Sequence, residues 1–351
     1  MNRLLVWLMA AFLASMYFGV SAPLAAQDDR LTIVASHSIL ANVAQNVAGD
    51  AADVTSLLPR DADPHSYTPS PRELVTLAEA DLVLINGASF EEGLLTTIEN
   101  AAEDVTIIEA SQCVEIRAIG EADHHHEAEF SACDVLYDEA NIPHHEDTLG
   151  LLMDIQCGEG DHNEDEHEDE HEDGHEHEEG SCDPHVWMNP QHVMLWTLTI
   201  RDTLVELDPT NAETYAQNAD VYIAQLAELH DEIEALVDSI PPENRVLVTN
   251  HDSLGYFAAQ YDFEVVGVVI PGGSTVAEPS ARDIVTLIET IEEHQVRAIF
   301  TETTVNPAVA QQVANESGVS LHTLYSGSLG DADTYLDYMR YNVNSIVEGL
   351  G

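Results

Sequence analysis

One pattern limits the fold of this chain more than any other: short β-branched runs alternate with helical stretches, and the scheme occurs twice. Residues 31–36, 53–58, 82–86 and 105–109 read as buried strands. Residues 39–48 and 71–80 carry apolar side chains at helical spacing between them. Parallel strands need a crossover connection, usually a helix, so this alternation predicts a parallel sheet. Residues 245–325 repeat the scheme, with strands over 245–249, 264–270, 298–301 and 320–325. Between the halves, 211–240 has helical periodicity with no internal glycine or proline, bracketed by Asp208-Pro209 and Pro241-Pro242. Unbroken, it spans more than about 40 Å. The expected fold is α/β: two parallel-sheet lobes, 27–210 and 241–351, joined by a long rigid helix over 211–240. A chain of 351 residues is long enough for both lobes.

Charge removes several function classes. Acidic residues number 65 against 10 basic, a net charge of −55, and there is no lysine. Such a field repels a phosphate backbone, so nucleic-acid binding is excluded, and adhesion to an anionic membrane is disfavoured. The first 26 residues read as an export signal: Arg3, an apolar run from Leu4 to Val20, then Ser-Ala-Pro-Leu-Ala-Ala over 21–26. Cleavage after Ala22 or Ala26 fits, and the run is also near the minimum for an uncleaved membrane anchor. No cysteine follows it, so a lipid anchor is not indicated, and the chain is expected to be periplasmic or otherwise extracytoplasmic. Cys113, Cys133, Cys157 and Cys182 are an even set in an exported chain, which predicts two disulfides with three possible pairings. A thiolate zinc site has no Cys-x-x-Cys pair to support it.

All four cysteines lie in an insert, 113–182, that fits neither sheet. It holds 24 Asp or Glu, 10 of the 18 histidines and one basic residue, Arg117. So many like charges without an apolar face cannot form a core, so a mobile loop is expected. His162, His167, His171, His175 and His177 alternate there with carboxylates, which draw cations and raise imidazole basicity. The tract reads as a low-affinity metal collector. Outside the insert the net charge is still −32, so the acidity has a general cause that the histidine cluster does not share.

Three histidines outside that tract stand in distinctive contexts. His65 lies in Asp63-Pro-His-Ser-Tyr-Thr-Pro69, just beyond a strand, and His185 in Asp183-Pro-His-Val-Trp-Met-Asn-Pro190, so Asp-Pro-His occurs twice. His251 follows the first strand of the second lobe, in Asn250-His-Asp-Ser-Leu-Gly-Tyr-Phe257. Ligands of open parallel sheets gather beyond the carboxyl ends of strands, which puts a metal site in the cleft between lobes. His37 also follows a strand, and a supporting or surface role fits it better than ligation. Trp187 and Trp196 read as packing, Ser280 with Asp283 as a helix cap, and Glu302 as support for a metal-bound histidine.

These motifs, with Ala277-Glu-Pro-Ser, Ile299-Phe-Thr-Glu and Tyr335-Leu-Asp-Tyr-Met-Arg-Tyr-Asn, resemble the metal-binding solute receptors of zinc and manganese ABC importers. The resemblance covers the chain beyond the export signal, apart from the insert. It implies two α/β lobes bridged by a rigid helix, one metal between them, and delivery to a membrane permease driven by an ATPase. A His- and acid-rich loop between the first two ligand positions resembles the zinc branch. Carried over by motif, the metal ligands are His65, His185 and His251. Manganese members usually have a carboxylate at the third position, so histidine there favours Zn2+ over Mn2+. The resemblance puts an aspartate after the last strand, where this chain has Gly327, which leaves Asp331, Glu302 or water as the fourth ligand. A monomeric receptor is expected. Three histidines and an open position also describe a zinc hydrolase, but His-Glu-x-x-His is absent and no general base stands near a ligand. A buffer working through the loop alone is the third reading.

Overall fold

Eight strands form over the β-branched runs, and they fall into two separate sheets. A computed structural model of the chain describes residues 30–60, 62–63, 66–91, 93–117, 133–142, 182–270, 275 and 278–351. Residues 1–26, read above as an export signal, His65 and the acidic histidine tract with His162, His167, His171, His175 and His177 lie outside the described residues. The described elements belong to one contact unit, Leu31–Gly351.

The first sheet contains β1 (Leu31–Ala35), β2 (Ala52–Ser56), β3 (Leu82–Ile85) and β4 (Thr106–Glu109), all parallel in the order β2-β1-β3-β4. Helices α1 (Ser38–Ala48), α2 (Pro71–Ala78) and α3 (Leu95–Ala101) make its crossovers. Residues alternate along these strands between two cores. Ile33, Leu82 and Leu84 face a core shared with the rest of the molecule, while Val34, Val83 and Ile85 pack on Leu77 and Ile98 of α2 and α3.

The described part of the insert is folded, which corrects the expectation of a mobile loop for those residues. Its described part holds α4 (Asp134–Ala140), stapled by a Cys113–Cys133 disulfide. Arg201 clasps Glu139 of this helix with two guanidinium nitrogens, from α5 (Pro190–Leu207). Cys182 at the far end is also disulfide-bonded. Asn189 caps α5 by accepting from the Gln191 N–H, and Pro190 takes the first helical position, where its missing N–H costs nothing.

The long helix is α6 (Ala212–Val237), 26 residues and about 39 Å. Its buried positions, Tyr215, Ala219, Tyr222, Leu226, Leu229, Ile233 and Val237, recur every three or four residues and form one stripe. The second sheet, β5 (Val246–Thr249), β6 (Glu264–Val268), β7 (Ala298–Glu302) and β8 (Ser320–Leu324), repeats the first with order β6-β5-β7-β8. Helices α7 (Gly255–Gln260), α8 (Ala281–Glu293) and α9 (Ala308–Ser317) cross it over, and α10 (Tyr335–Leu350) closes the chain. One continuous core runs from β1 and β3 through α5, α6 and α10 to Leu247, Ala298 and Phe300 of the second sheet.

Candidate metal centre

The carboxyl ends of the strands meet at a buried group built around His185 and His251. The two Nε2 atoms are 3.2 Å apart, and both side chains are almost wholly enclosed. Each Nδ1 faces a carboxylate. His185 Nδ1 lies 2.8 Å from Asp183 Oδ1, an oxygen that also accepts the His185 N–H at 3.0 Å. A proton on Nδ1, shared with Asp183, leaves the Nε2 lone pair pointing at His251.

His251 Nδ1 lies 2.5 Å from Glu302 Oε1, at the end of β7. Glu302 is itself held: Ser253 donates to Oε1 at 3.0 Å and Ser326 donates to Oε2. Burial disfavours charge on both partners, but their mutual attraction outweighs it, raising the His251 pKa and lowering that of Glu302. Asp252 senses the same group, its carboxyl pushed up by burial and by the charge of Asp183.

The segment bearing His185 is locked from the other side. The Asp183 N–H donates to the Arg117 carbonyl at 2.8 Å, tying together the two feet of the insert. Tyr256 of α7 donates to the Asp183 carbonyl at 3.0 Å and accepts from the Arg117 N–H at 2.9 Å. Gly255 makes this closeness possible, since a Cβ there would stand 2.6 Å from Asp183 Oδ2. Trp187 packs edge-on to the His185 ring and donates to the Ser326 carbonyl at 3.1 Å.

The candidates named from sequence separate clearly. His185, His251 and Glu302 come together, and Glu302 backs His251 rather than standing open. Asp331 is exposed on the turn after β8, beside Tyr341, and is not brought to the histidine pair. His37 is fully buried between Phe90 and Trp187, which corrects the surface reading; burial pushes it down to about 3, partly offset by Asn86. Trp187 and Trp196 are core residues, and Ser280 and Asp283 form a reciprocal cap. Among the described residues, no group of three or more His, Cys, Asp or Glu is arranged to hold a metal ion. Asp183, Asp252, Ser253 and Ser326 were not singled out from sequence. For Asp183 a signal existed: an Asp two residues before a His can reach its Nδ1.

Asp183 supports its own histidine. Asp63, in the other Asp-Pro-His motif, accepts from Thr275 Oγ1 at 2.7 Å, joining the β2–α2 loop to the β6–α8 loop of the other lobe.

Comparison with known proteins agrees with this architecture. Residues 33–349 match the family model described as zinc-uptake complex component A, periplasmic. The chain is 30% identical to the manganese-binding lipoprotein MntA of Halalkalibacterium halodurans, over 91% of this chain and 88% of that protein. It is 27% identical to the iron-binding protein YfeA of Yersinia pestis, over 92% and 87%. Among solved structures, the Mn-bound S38A variant of a periplasmic metal-binding protein from Candidatus Liberibacter asiaticus aligns at TM-score 0.70 and 25% identity, covering 92% of this chain and all of that one. The periplasmic zinc-binding protein TroA of Treponema pallidum shares the fold at TM-score 0.70 and 23% identity, over 92% and 99%. Several relatives are named as lipoproteins, which gives no support to the expectation that a lipid anchor is absent. No described helix is long and apolar enough to cross a membrane. The chain belongs to the family of metal-binding substrate-binding proteins of ABC importers, whose members are receptors and not enzymes.

Proposed function

We propose that the chain is an exported zinc receptor that delivers Zn2+ to an ABC permease driven by a cytoplasmic ATPase. Its ligands are His65, His185 and His251, with an oxygen from water or a carboxylate in the fourth position. The observation that carries this reading is the 3.2 Å separation of the two Nε2 atoms. Two nitrogens bound at 2.0–2.1 Å to a tetrahedral ion lie about 3.3 Å apart, so a zinc ion fits between the rings with little movement. A carboxylate behind each Nδ1 fixes the ring and makes the opposite nitrogen a better donor. Imidazole at position 251 favours zinc over manganese, which prefers oxygen. The Asp63–Thr275 bond supports a place for His65 at the cleft, two residues along the same loop. Manganese is the second reading, favoured by relatives named for that metal. The lobes span 27–210 and 241–351, the 1–26 leader directs export, the receptor acts as a monomer, and the histidines at 162–177 hold metal weakly.

Competitive titration by calorimetry with metal analysis tests the assignment, comparing the mature protein, His65→Ala/His185→Ala/His251→Ala, and a chain lacking 161–179. One tight zinc per chain is expected, lost in the triple variant and kept in the deletion, with manganese bound more weakly. Tight binding that survives in the triple variant and vanishes in the deletion would move the function to the acidic tract.

A further inference from the structure

The two histidines of the buried pair reach it by different routes. His251 stands two residues beyond Thr249, the end of β5, and so takes its place from the second sheet. His185 belongs to neither sheet. It lies on residues 183–189, which end the insert and lead through a single 3-10 turn, Val186–Met188, into α5. No strand register sets that segment against His251, so the contacts around it do.

Both ends of the segment are held from one short helix. α7 begins four residues after His251. Near its start, the Tyr256 hydroxyl donates to the Asp183 carbonyl at 3.0 Å and accepts from the Arg117 N–H at 2.9 Å. At its end, Gln260 Oε1 accepts from Asn189 Nδ2 at 2.8 Å, while Asn189 Oδ1 caps α5. Tyr256 and Gln260 are four residues apart and therefore share one face of the helix. The His192 ring, in the first turn of α5, packs edge-on to the Tyr256 ring. Helix α7 needs neither polar contact for its own sake. Tyr256 is buried, and phenylalanine would fill the same place, so packing does not explain the hydroxyl.

We infer that Tyr256 and Gln260 are positioning residues that fix His185 against His251, and that the spacing they hold selects Zn2+ over Mn2+. The inference rests on the zinc reading of this site and names what sets its preference. Gripped at 183 and 189, the segment holds His185 Nε2 at 3.2 Å from its partner, the spacing of two nitrogens on a four-coordinate zinc. Manganese takes six ligands, mostly oxygen, and gains nothing from that spacing. Loosening the grip therefore costs zinc more than manganese.

The test measures zinc and manganese affinities of the mature protein by competition, with the visible spectrum of the Co2+-loaded protein, which is intense for four ligands and weak for six. Tyr256→Phe and Gln260→Ala should each weaken zinc binding, chiefly by faster release. The double variant should lower the zinc-to-manganese affinity ratio about tenfold and weaken the Co2+ bands. Gln260→Glu keeps the accepting oxygen and should retain the ratio of the unaltered chain. A double variant whose ratio and Co2+ spectrum match those of the unaltered chain overturns the inference and leaves the zinc reading standing. Equal losses for both metals, with a lowered thermal midpoint, would make the two side chains general supports of the fold and also overturn it. An unaltered chain that holds manganese more tightly than zinc overturns the zinc reading and the inference with it.

Discussion

At the scale of single residues, the candidate centre depends as much on two carboxylates as on the histidines. Glu302 keeps His251 in place with one oxygen while two serine hydroxyls hold the carboxylate. Asp183 does the same for His185 through side chain and backbone together. Glu302→Gln and Asp183→Asn retain size and remove charge, so each should weaken zinc binding about 10–100-fold with little loss of fold. Calorimetry at constant pH reads the change, and affinity unaltered in both variants would show that the imidazoles need no such support. Of the buried pair, His251 was legible in the sequence because it follows a strand end, and His185 because its Asp-Pro-His repeats an earlier motif. The partners were less so, since Ser253, Ser326 and Glu302 converge from three separate loops and strand ends, a proximity that only the sheet order creates. Gly327 was legible as a missing ligand, but nothing in the chain identified its replacement, and the exposure of Asp331 removes one candidate from the histidine pair.

At the scale of elements, periodicity located all eight strands to within about two residues and the long helix to within three. It missed α5, whose buried positions run nearly all the way round, so that no polar face marks the helix. It also missed α4, because the charge of the insert hid a short apolar stretch that packs on α5. The stripe of α6 contains one anomaly. The Tyr222 hydroxyl is buried with no hydrogen-bond partner, and burial holds its pKa far above the usual range. An unsatisfied buried hydroxyl costs about 1–3 kcal/mol, so Tyr222→Phe should leave the protein as stable or up to about 2 kcal/mol more stable. Urea denaturation measures this. A loss above about 1 kcal/mol would mean that the hydroxyl is bonded in solution.

At the scale of the whole molecule, one core runs through both lobes, so groups buried far apart act on a single unfolding equilibrium. His37 and His192 are held neutral, burial pushing them down to about 3 and about 4. Unfolded, both titrate near 6.5, so below that pH the unfolded chain takes up two protons that the folded chain refuses. Each histidine then removes up to about 1.4 kcal/mol of stability per pH unit. Glu91 works in the opposite sense. Burial raises it to about 7, so between pH 4.5 and 7 the folded chain holds the extra proton and acid favours folding. Two groups oppose one from pH 6.5 to 4.5, and below 4.5 Glu91 no longer contributes. The surface carboxylates add a large background, because acid also relieves their mutual repulsion. A difference measurement cancels that background: metal-free protein against His37→Phe, which fills the same space beside Phe90 and Trp187 without a titrating group. The stability gap between them should be constant above pH 6.5 and shift toward the variant by about 1.4 kcal/mol per pH unit as pH falls toward 4. Parallel profiles over that range would mean that His37 gains a proton in the folded protein as readily as in the unfolded chain.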